Sequence, residues 1–167
     1  VSNIPYKIVG GVNFYARKEV KDLLAYLKTI DNARDDLAVR RIINVPKRGI
    51  GATTLNRVAD YAAEQNLSFY NALKMADDIP TLGKSAAKIH PFVNFIQVMR
   101  SKLELISVSE LLQEIIDETG YVKELEAEGT EEAQARIENI NELISKVVTY
   151  EEGEEHPTLS GFLEEVA

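Results

Sequence analysis

The residues best suited to bind a ligand lie at positions 44–54, in the run Asn-Val-Pro-Lys-Arg-Gly-Ile-Gly-Ala-Thr-Thr. Two glycines stand one residue apart, two cations precede them, and an apolar stripe typical of a helix follows at Leu55, Val58, Ala59 and Ala62. A glycine turn that leads into a helix exposes backbone N–H groups, and the helix dipole favours an anion there. These residue types at this spacing therefore predict phosphate binding.

Phosphate contacts made through backbone N–H groups carry no base information, so such a site suits DNA held without regard to sequence. Lys47 and Arg48 would add full positive charge at the same place. The tripeptide Gly-Ile-Gly is also compatible with a tight turn between helices whose basic neighbours only face solvent. The local pattern leaves both interpretations open.

Other kinds of site need residue sets that the chain does not supply. Gly83, Lys84 and Ser85 resemble the end of a nucleotide-binding loop, but position 78, where the pattern needs glycine, holds an aspartate. His90 and His156 are far apart in sequence, and neither has a partner at metal-ligand spacing. The sequence therefore predicts no catalytic residues and no metal site.

Composition favours one soluble globular domain: 167 residues, 45% hydrophobic and 28% charged. The absence of cysteine excludes disulfides and thiolate metal sites. No apolar run approaches the roughly 18 residues of a membrane span.

The net charge of −8 is unevenly distributed along the chain. Residues 1–61 hold 11 Lys/Arg and 6 Asp/Glu, whereas residues 62–167 hold 8 Lys/Arg and 21 Asp/Glu. This asymmetry indicates a basic working face on an acidic body, with chance fluctuation as the alternative.

The elements that must position the glycine turn are helices. Apolar periodicity predicts an all-α, irregular multi-helix bundle of about 7 to 9 helices. Helices are expected at about 17–31, 35–43, 55–62, 68–75, 85–106 and 107–120, and after Thr130 and Thr158 as their first capping residues. Ser107 and Glu110 have the spacing of a capping box, and Gly120 predicts the end of the helix that they begin. Pro91 falls inside the fifth of these and predicts either a kink or a start near His90.

Residues 6–9 (YKIV) predict one short strand, and no other segment offers it a partner. An unpaired strand is costly because its backbone groups need hydrogen bonds. The chain also opens at Val1 without an initiator methionine, and its last predicted helix is short. We therefore expect a piece of a longer protein, whose sheet this strand joins.

Three blocks of the sequence resemble the UvrD/PcrA/Rep family of helicases. Residues 4–11 (IPYKIVGG), 14–22 (FYARKEVKD) and 24–27 (LAYL) resemble the block that ends the early part of subdomain 2A. Residues 42–51 (IINVPKRGIG) resemble the family's duplex-binding Gly-Ile-Gly element, most closely in its PcrA-type members. Residues 132–142 (EAQARIENINE) resemble a segment near the end of the inserted subdomain 2B. The order and spacing of the blocks agree across nearly the whole chain.

The resemblance implies a specific place in a larger machine. Members of the family are superfamily 1A translocases that move 3′ to 5′ on DNA, with motor subdomains 1A and 2A that each carry an insertion. Residues 1–13 would be an edge of 2A, and residues 14–167 the helical accessory subdomain 2B, with its Gly-Ile-Gly hairpin at residues 44–54. The implied function is to bind the duplex backbone near the single-strand/double-strand junction and to regulate unwinding in DNA repair and replication.

Carried over by position, the resemblance implies a DNA-binding set of Lys47, Arg48, Gly49, Ile50, Gly51, Ala52, Thr53 and Thr54. Arg17, Lys18 and Lys21 are further candidates for contacts with DNA or another subdomain, with a solvated helix face as the alternative. The expected cofactors, ATP and Mg, belong to the parent ATP hydrolase. The fragment alone is expected to hold none, and neither to hydrolyse ATP nor to unwind DNA.

The implied partners are duplex DNA, subdomains 1A, 1B and 2A, and a regulatory protein, all in a bacterial cytoplasm at the nucleoid, with no membrane. An alternative function belongs to a different class. The chain would then be a regulatory protein-interaction module of the same helicase, with little DNA binding of its own. Its acidic residues would dock the partner.

Overall fold

The computed structural model describes residues 14–167. Within that range the regular structure is entirely helical, so the predicted all-α fold is confirmed there. The strand predicted at residues 6–9 lies outside the described residues. The helices are α1 (Lys18–Asp31), α2 (Asp36–Ile42), α3 (Ala52–Gln65), α4 (Phe69–Lys74), α5 (Ala86–Ser101), α6 (Val108–Thr119), α7 (Tyr121–Glu128), α8 (Glu131–Glu152) and α9 (Leu159–Val166), with 3₁₀ turns at Ala76–Asp78 and Pro80–Ser85.

The chain divides into two compact units, and helix α1 contributes to both. The hairpin unit, Ala25–Leu105, packs α4 against α3 and α5 around fully buried side chains that include Tyr26, Ile42, Leu73, Ile89, Phe92 and Ile96. The acidic unit joins residues 14–24 to Ile106–Ala167 and packs α8 against α6 and α7. Its core includes Leu112, Ile115, Ile140, Leu143, Val147 and Phe162.

Helix ends follow the predicted local chemistry. Ser107 and Glu110 form the predicted capping box, and hydrogen bonds from Ser107 lower the pKa of Glu110. Gly120 ends α6 at φ +68°, a conformation that glycine adopts without the Cβ clash of other residues. Thr130 and Thr158 cap α8 and α9, as predicted.

The predicted helix at 85–106 differs from the one observed. Helix α5 begins at Ala86 and ends at Ser101, so the alternative start near His90 is wrong. Pro91 removes one backbone donor, but its neighbours Ile89 and Phe92 are fully buried, and that burial outweighs the lost bond. The helix α7 was not predicted, because its apolar pattern is short and follows directly on Gly120.

None of the described helices has the length and apolar character needed to cross a membrane.

Candidate nucleic-acid interface

The Gly-Ile-Gly segment is the connection between α2 and α3. It leaves α2 at Ile43, contains a cis peptide bond between Val45 and Pro46, and ends at Gly51, which is the N-terminal cap of α3. Gly49 has φ +74°, so a side chain there would be strained. Gly51 has an ordinary extended conformation, with φ −77° and ψ 168°.

Asn44 closes this hairpin with its side-chain amide. Its Nδ2 donates to the carbonyl oxygen of Ile50 at 2.7 Å, and its Oδ1 accepts from the N–H of Ile50 at 3.1 Å. The same Oδ1 also accepts from the N–H of Arg48 at 3.3 Å. One side chain therefore satisfies three backbone groups that a tight turn would otherwise leave unpaired.

Ile50 anchors the turn in the core. Its side chain is only 3% exposed, whereas Lys47, Gly49 and Gly51 beside it are exposed. Burying the isoleucine fixes the depth of the hairpin, and the flanking glycines present bare backbone at the surface. Such a surface lets a phosphate approach the main chain closely.

The guanidinium of Arg48 faces the protein. Its Nη1 donates to the carbonyl oxygens of Ile42 at 2.8 Å and Ile43 at 3.0 Å, at the C-terminal end of α2. Its Nη2 donates to the hydroxyl of Tyr26 at 2.7 Å, and its Cζ lies 4.9 Å from the centre of the Phe92 ring. A cation suits the negative end of a helix dipole and the face of an aromatic ring. Arg48 thus joins α1, α2 and α5 beneath the hairpin.

Tyr26 completes this arrangement. Its hydroxyl accepts from Arg48 and donates to the carbonyl oxygen of Val45, so it ties the first part of the hairpin to α1. The sequence identifies Tyr26 as an aromatic residue on a helix. It does not reveal that its polar end meets a loop 19 residues away.

The first turn of α3 is open at its N-terminus. Gly51 offers no side-chain cap, and the first turn carries no acidic residue. Asp35, Ser68, Ser107, Thr130 and Thr158, by contrast, cap the helices that follow them with their side chains. The N–H groups of Ala52 and Thr53 therefore belong to an exposed, uncapped helix start, with Thr53 exposed and Thr54 half-buried.

A residue that the sequence analysis did not select also reaches the hairpin. Lys88 of α5 is exposed, and its Nζ donates to the carbonyl oxygen of Gly49 at 3.4 Å. These two residues are 39 positions apart, so no local pattern links them. Lys88 lies one turn before Phe92, whose ring is beneath the Arg48 guanidinium. The contact between Lys88 and Gly49 can therefore be inferred only after the packing of α5 is known.

The two units differ sharply in charge. The hairpin unit holds 12 Lys/Arg and 8 Asp/Glu, a net charge of +4. Residues 14–24 and 106–167 of the acidic unit hold 6 and 19, a net charge of −13. The hairpin therefore lies in the part of the chain whose charge attracts a polyanion.

Arg17, Lys18 and Lys21 lie in the acidic unit. Arg17 donates to Asn139 Oδ1 at 2.6 Å, Lys18 pairs with the buried carboxylate of Asp22 at 3.0 Å, and Lys21 is exposed. The interdomain or DNA contacts predicted for these cations stay predictions. The bond from Arg17 ties the residue just before α1 to α8, whereas the Lys18 pair lies within α1 itself.

Buried carboxylates accompany these cations. Asn139 Nδ2 donates to Glu19 Oε2 at 2.6 Å, and the Tyr121 hydroxyl donates to Asp22 Oδ2 at 2.7 Å. Burial first, and then the hydrogen bond to Asp22, raises the pKa of Tyr121 well above its usual range. Tyr121 is therefore a neutral donor at physiological pH.

Each of the two histidines lies at the surface beside a carboxylate. His90 Nε2 lies 2.9 Å from Asp77 Oδ1 at the surface, and His156 lies beside Glu155 on an exposed loop. Among the described residues, no group of His, Cys, Asp and Glu side chains is arranged to hold a metal ion.

Comparison with known proteins agrees with the resemblance seen in the sequence. The chain is 43% identical over 166 residues to the ATP-dependent DNA helicase PcrA of Bacillus subtilis (strain 168), which covers 99% of this chain and 22% of that protein. It is 41% identical over 168 residues to the helicase of the same name from Staphylococcus aureus (strain Mu50 / ATCC 700699), covering 99% and 23%. The chain thus spans less than a quarter of the length of these curated relatives. A family model described as the UvrD-like helicase C-terminal domain matches residues 1–167, and the chain belongs to that family.

Proposed function

We propose that this chain is the accessory 2B subdomain of an ATP-dependent 3′-to-5′ DNA helicase, preceded by a short edge of 2A at residues 1–13. It binds the backbone of duplex DNA near the single-strand/double-strand junction and regulates unwinding. The observation that carries the proposal is the exposed, uncapped start of α3 behind a Gly-Ile-Gly turn that the Asn44 side chain holds by hydrogen bonds, in a chain of this helicase family.

Backbone N–H groups make the central contact in this proposal. The backbone N–H groups of Gly51, Ala52 and Thr53 bind the oxygens of one phosphate. The hydroxyl of Thr53 or Thr54 adds a further donor. A Cβ added at Gly51 would meet nothing within 4 Å, so packing within the described residues does not demand a glycine there. The missing side chain instead leaves room for the ligand to approach the main chain.

Lys47 and Arg48 have different parts in the proposal. Lys47 is exposed at the turn and supplies the electrostatic attraction. Arg48 positions the hairpin through its bonds to α2 and Tyr26, and the DNA contact predicted for its side chain stays a prediction. Ile50 positions the turn from below because it is buried.

The other parts of the function belong to the longer protein that we propose. ATP and Mg²⁺ would act in its motor subdomains, and subdomains 1A, 1B and 2A would be the covalently linked partners. We place this helicase in the bacterial cytoplasm, at the nucleoid. The name of the relatives, ATP-dependent DNA helicase PcrA, supports the roles of ATP and DNA in this proposal, and both relatives come from bacteria.

Fluorescence anisotropy tests the proposal. The chain is titrated onto a duplex with a 3′ single-stranded tail from about 20 to about 200 mM salt, and a site with two to four phosphate contacts gives a log–log slope of about −2 to −4. Lys47→Glu should abolish this binding. Lys123→Glu, the same charge reversal at an exposed position of the acidic unit, should leave most of it intact.

If Lys47→Glu and Lys123→Glu weaken DNA binding equally, the net charge of the chain explains the binding. A specific role for the hairpin would then be contradicted. Arg48 is left unchanged in this experiment since its replacement disturbs the structure beneath the turn. Circular dichroism of each variant confirms that the fold is retained.

A second candidate is a regulatory protein-interaction module, and the net charge of −13 on the acidic unit favours it. The negative charge of the acidic unit repels the phosphates of DNA and attracts a basic protein surface, so its helices suit a protein partner. If wild type and Lys47→Glu are equally inert on DNA at low salt, this function replaces the first for the chain by itself.

A further inference from the structure

We propose that Lys88 of α5 is a further DNA-backbone contact, and that with Lys47 it makes the hairpin hold two successive phosphates of one strand. This inference rests on the proposed function, because it extends the same site. It adds a residue from a different helix and names the ligand as a chain of phosphates rather than a single anion.

Lys88 reaches the hairpin but is not neutralised there. Its only described bond is the 3.4 Å contact with the carbonyl oxygen of Gly49, a neutral acceptor. The ammonium group has three N–H donors, so two remain for a ligand. Among residues 14–167, no carboxylate lies within ion-pair distance of Lys88. A full positive charge therefore stands at the surface, against the exposed turn.

The position of this charge is set by packing on both sides. Phe92, one turn after Lys88 on α5, lies under the guanidinium of Arg48, and Lys88 itself meets Gly49. The hairpin is thus held against α5 at two points. A Cβ added at Gly49 would lie 3.8 Å from the Lys88 Nζ, an ordinary contact distance, so the ammonium group lies directly beside the turn.

Two lysines from separate parts of the chain belong to the surface of the Gly-Ile-Gly turn. Lys47 precedes Gly49 by two residues, and Lys88 comes from a helix elsewhere in the hairpin unit. Each nucleotide of a DNA strand carries one negative charge. Two cations with no described acidic partner match two neighbouring phosphates better than one isolated monoanion. A continuous nucleic-acid backbone is therefore the ligand that this arrangement fits.

The test compares the salt dependence of duplex binding for wild type, Lys88→Ala, Lys88→Arg and the control Lys123→Ala. Loss of one phosphate contact should reduce the magnitude of the log–log slope by about 1 and weaken binding roughly tenfold at about 50 mM salt. The reduction should be the same on duplexes of different sequence, since a phosphate contact carries no base information. Lys88→Arg should retain the wild-type slope, and Lys123→Ala should change neither quantity.

A competition arm distinguishes a phosphate chain from a single anion. Inorganic phosphate, added at constant ionic strength, should displace the duplex no better than chloride does. If it competes strongly, the site binds an isolated anion and the two-phosphate inference is wrong. Circular dichroism and thermal unfolding of each variant ensure that a change in slope is not a change in fold.

The failure of this inference can be told apart from failure of the proposed function. If wild type binds, Lys47→Glu does not, and Lys88→Ala keeps the wild-type slope, then Lys88 is only a surface lysine and the proposed function stands. If wild type itself does not bind duplex at about 20 mM salt, both proposals are overturned together.

Discussion

Replacing Arg48 by alanine should destabilise the hairpin unit by about 2–4 kcal/mol. The change removes two short hydrogen bonds from a charged donor to the carbonyl oxygens of Ile42 and Ile43, each typically worth about 1.5–3 kcal/mol. It also removes the contact with the Phe92 ring, worth about 1 kcal/mol. The side chain is half-buried and these contributions share one group, so the total is smaller than their sum.

Urea unfolding followed by circular dichroism measures this loss. Arg48→Lys keeps the charge but cannot make the forked contacts, so it should recover less than half of the lost stability. Arg136→Ala is the matched control, because the hydrogen-bonded ion pair described for Arg136 joins it to the exposed Glu132 on the same helix, and its loss should cost less than about 0.5 kcal/mol. If Arg48→Ala unfolds within about 0.5 kcal/mol of wild type, Arg48 does not hold the hairpin and our account of the site is wrong.

Three further predictions concern the same elements. Asn44→Ala removes three hydrogen bonds from the hairpin and should cost about 1–3 kcal/mol in urea unfolding; an unchanged midpoint would contradict its closing role. Gly49→Ala should cost about 1–2 kcal/mol because of its positive φ. Gly51→Ala should cost less than about 1 kcal/mol, from the N-cap preference alone, and should mainly weaken DNA binding; equal stability losses would refute this distinction. Burial raises the pKa of Tyr121 in the folded state, so the folded tyrosine stays neutral where an unfolded one ionises, above about pH 10. The contribution of Tyr121 to stability is therefore complete below about pH 10 and falls as the pH rises above it. Tyr121→Phe should therefore lose less stability than wild type between about pH 9 and about pH 11 in urea unfolding, and an identical loss would exclude this role.

Local chemistry predicted much of the fold. The caps at Ser107, Thr130 and Thr158 and the stop at Gly120 depend on neighbours within a few residues, and the structure confirms each of them. Helix α5 continues through Pro91 instead of starting near His90, because the burial of side chains by distant helices decides whether one missing backbone bond matters.

The candidate site shows the same limit. The Gly-Ile-Gly pattern located the turn and its exposed backbone. The sequence alone could not give the direction of the Arg48 side chain, which is set by Tyr26 and Phe92 at separations of 22 and more residues. Lys88 was missed for the same reason, since its contact with Gly49 depends on how α5 packs under the hairpin.

The most direct test of the central claim is a nuclear magnetic resonance titration of the ¹⁵N-labelled chain with duplex DNA at about 20 mM salt. We predict that the backbone amides of Gly51, Ala52 and Thr53 shift first and most, and that the shifts reverse at about 200 mM salt. The amides of Glu131 and Glu132, at the acidic and capped start of α8, should not move. Duplex binding that leaves the three hairpin amides unchanged would contradict the account.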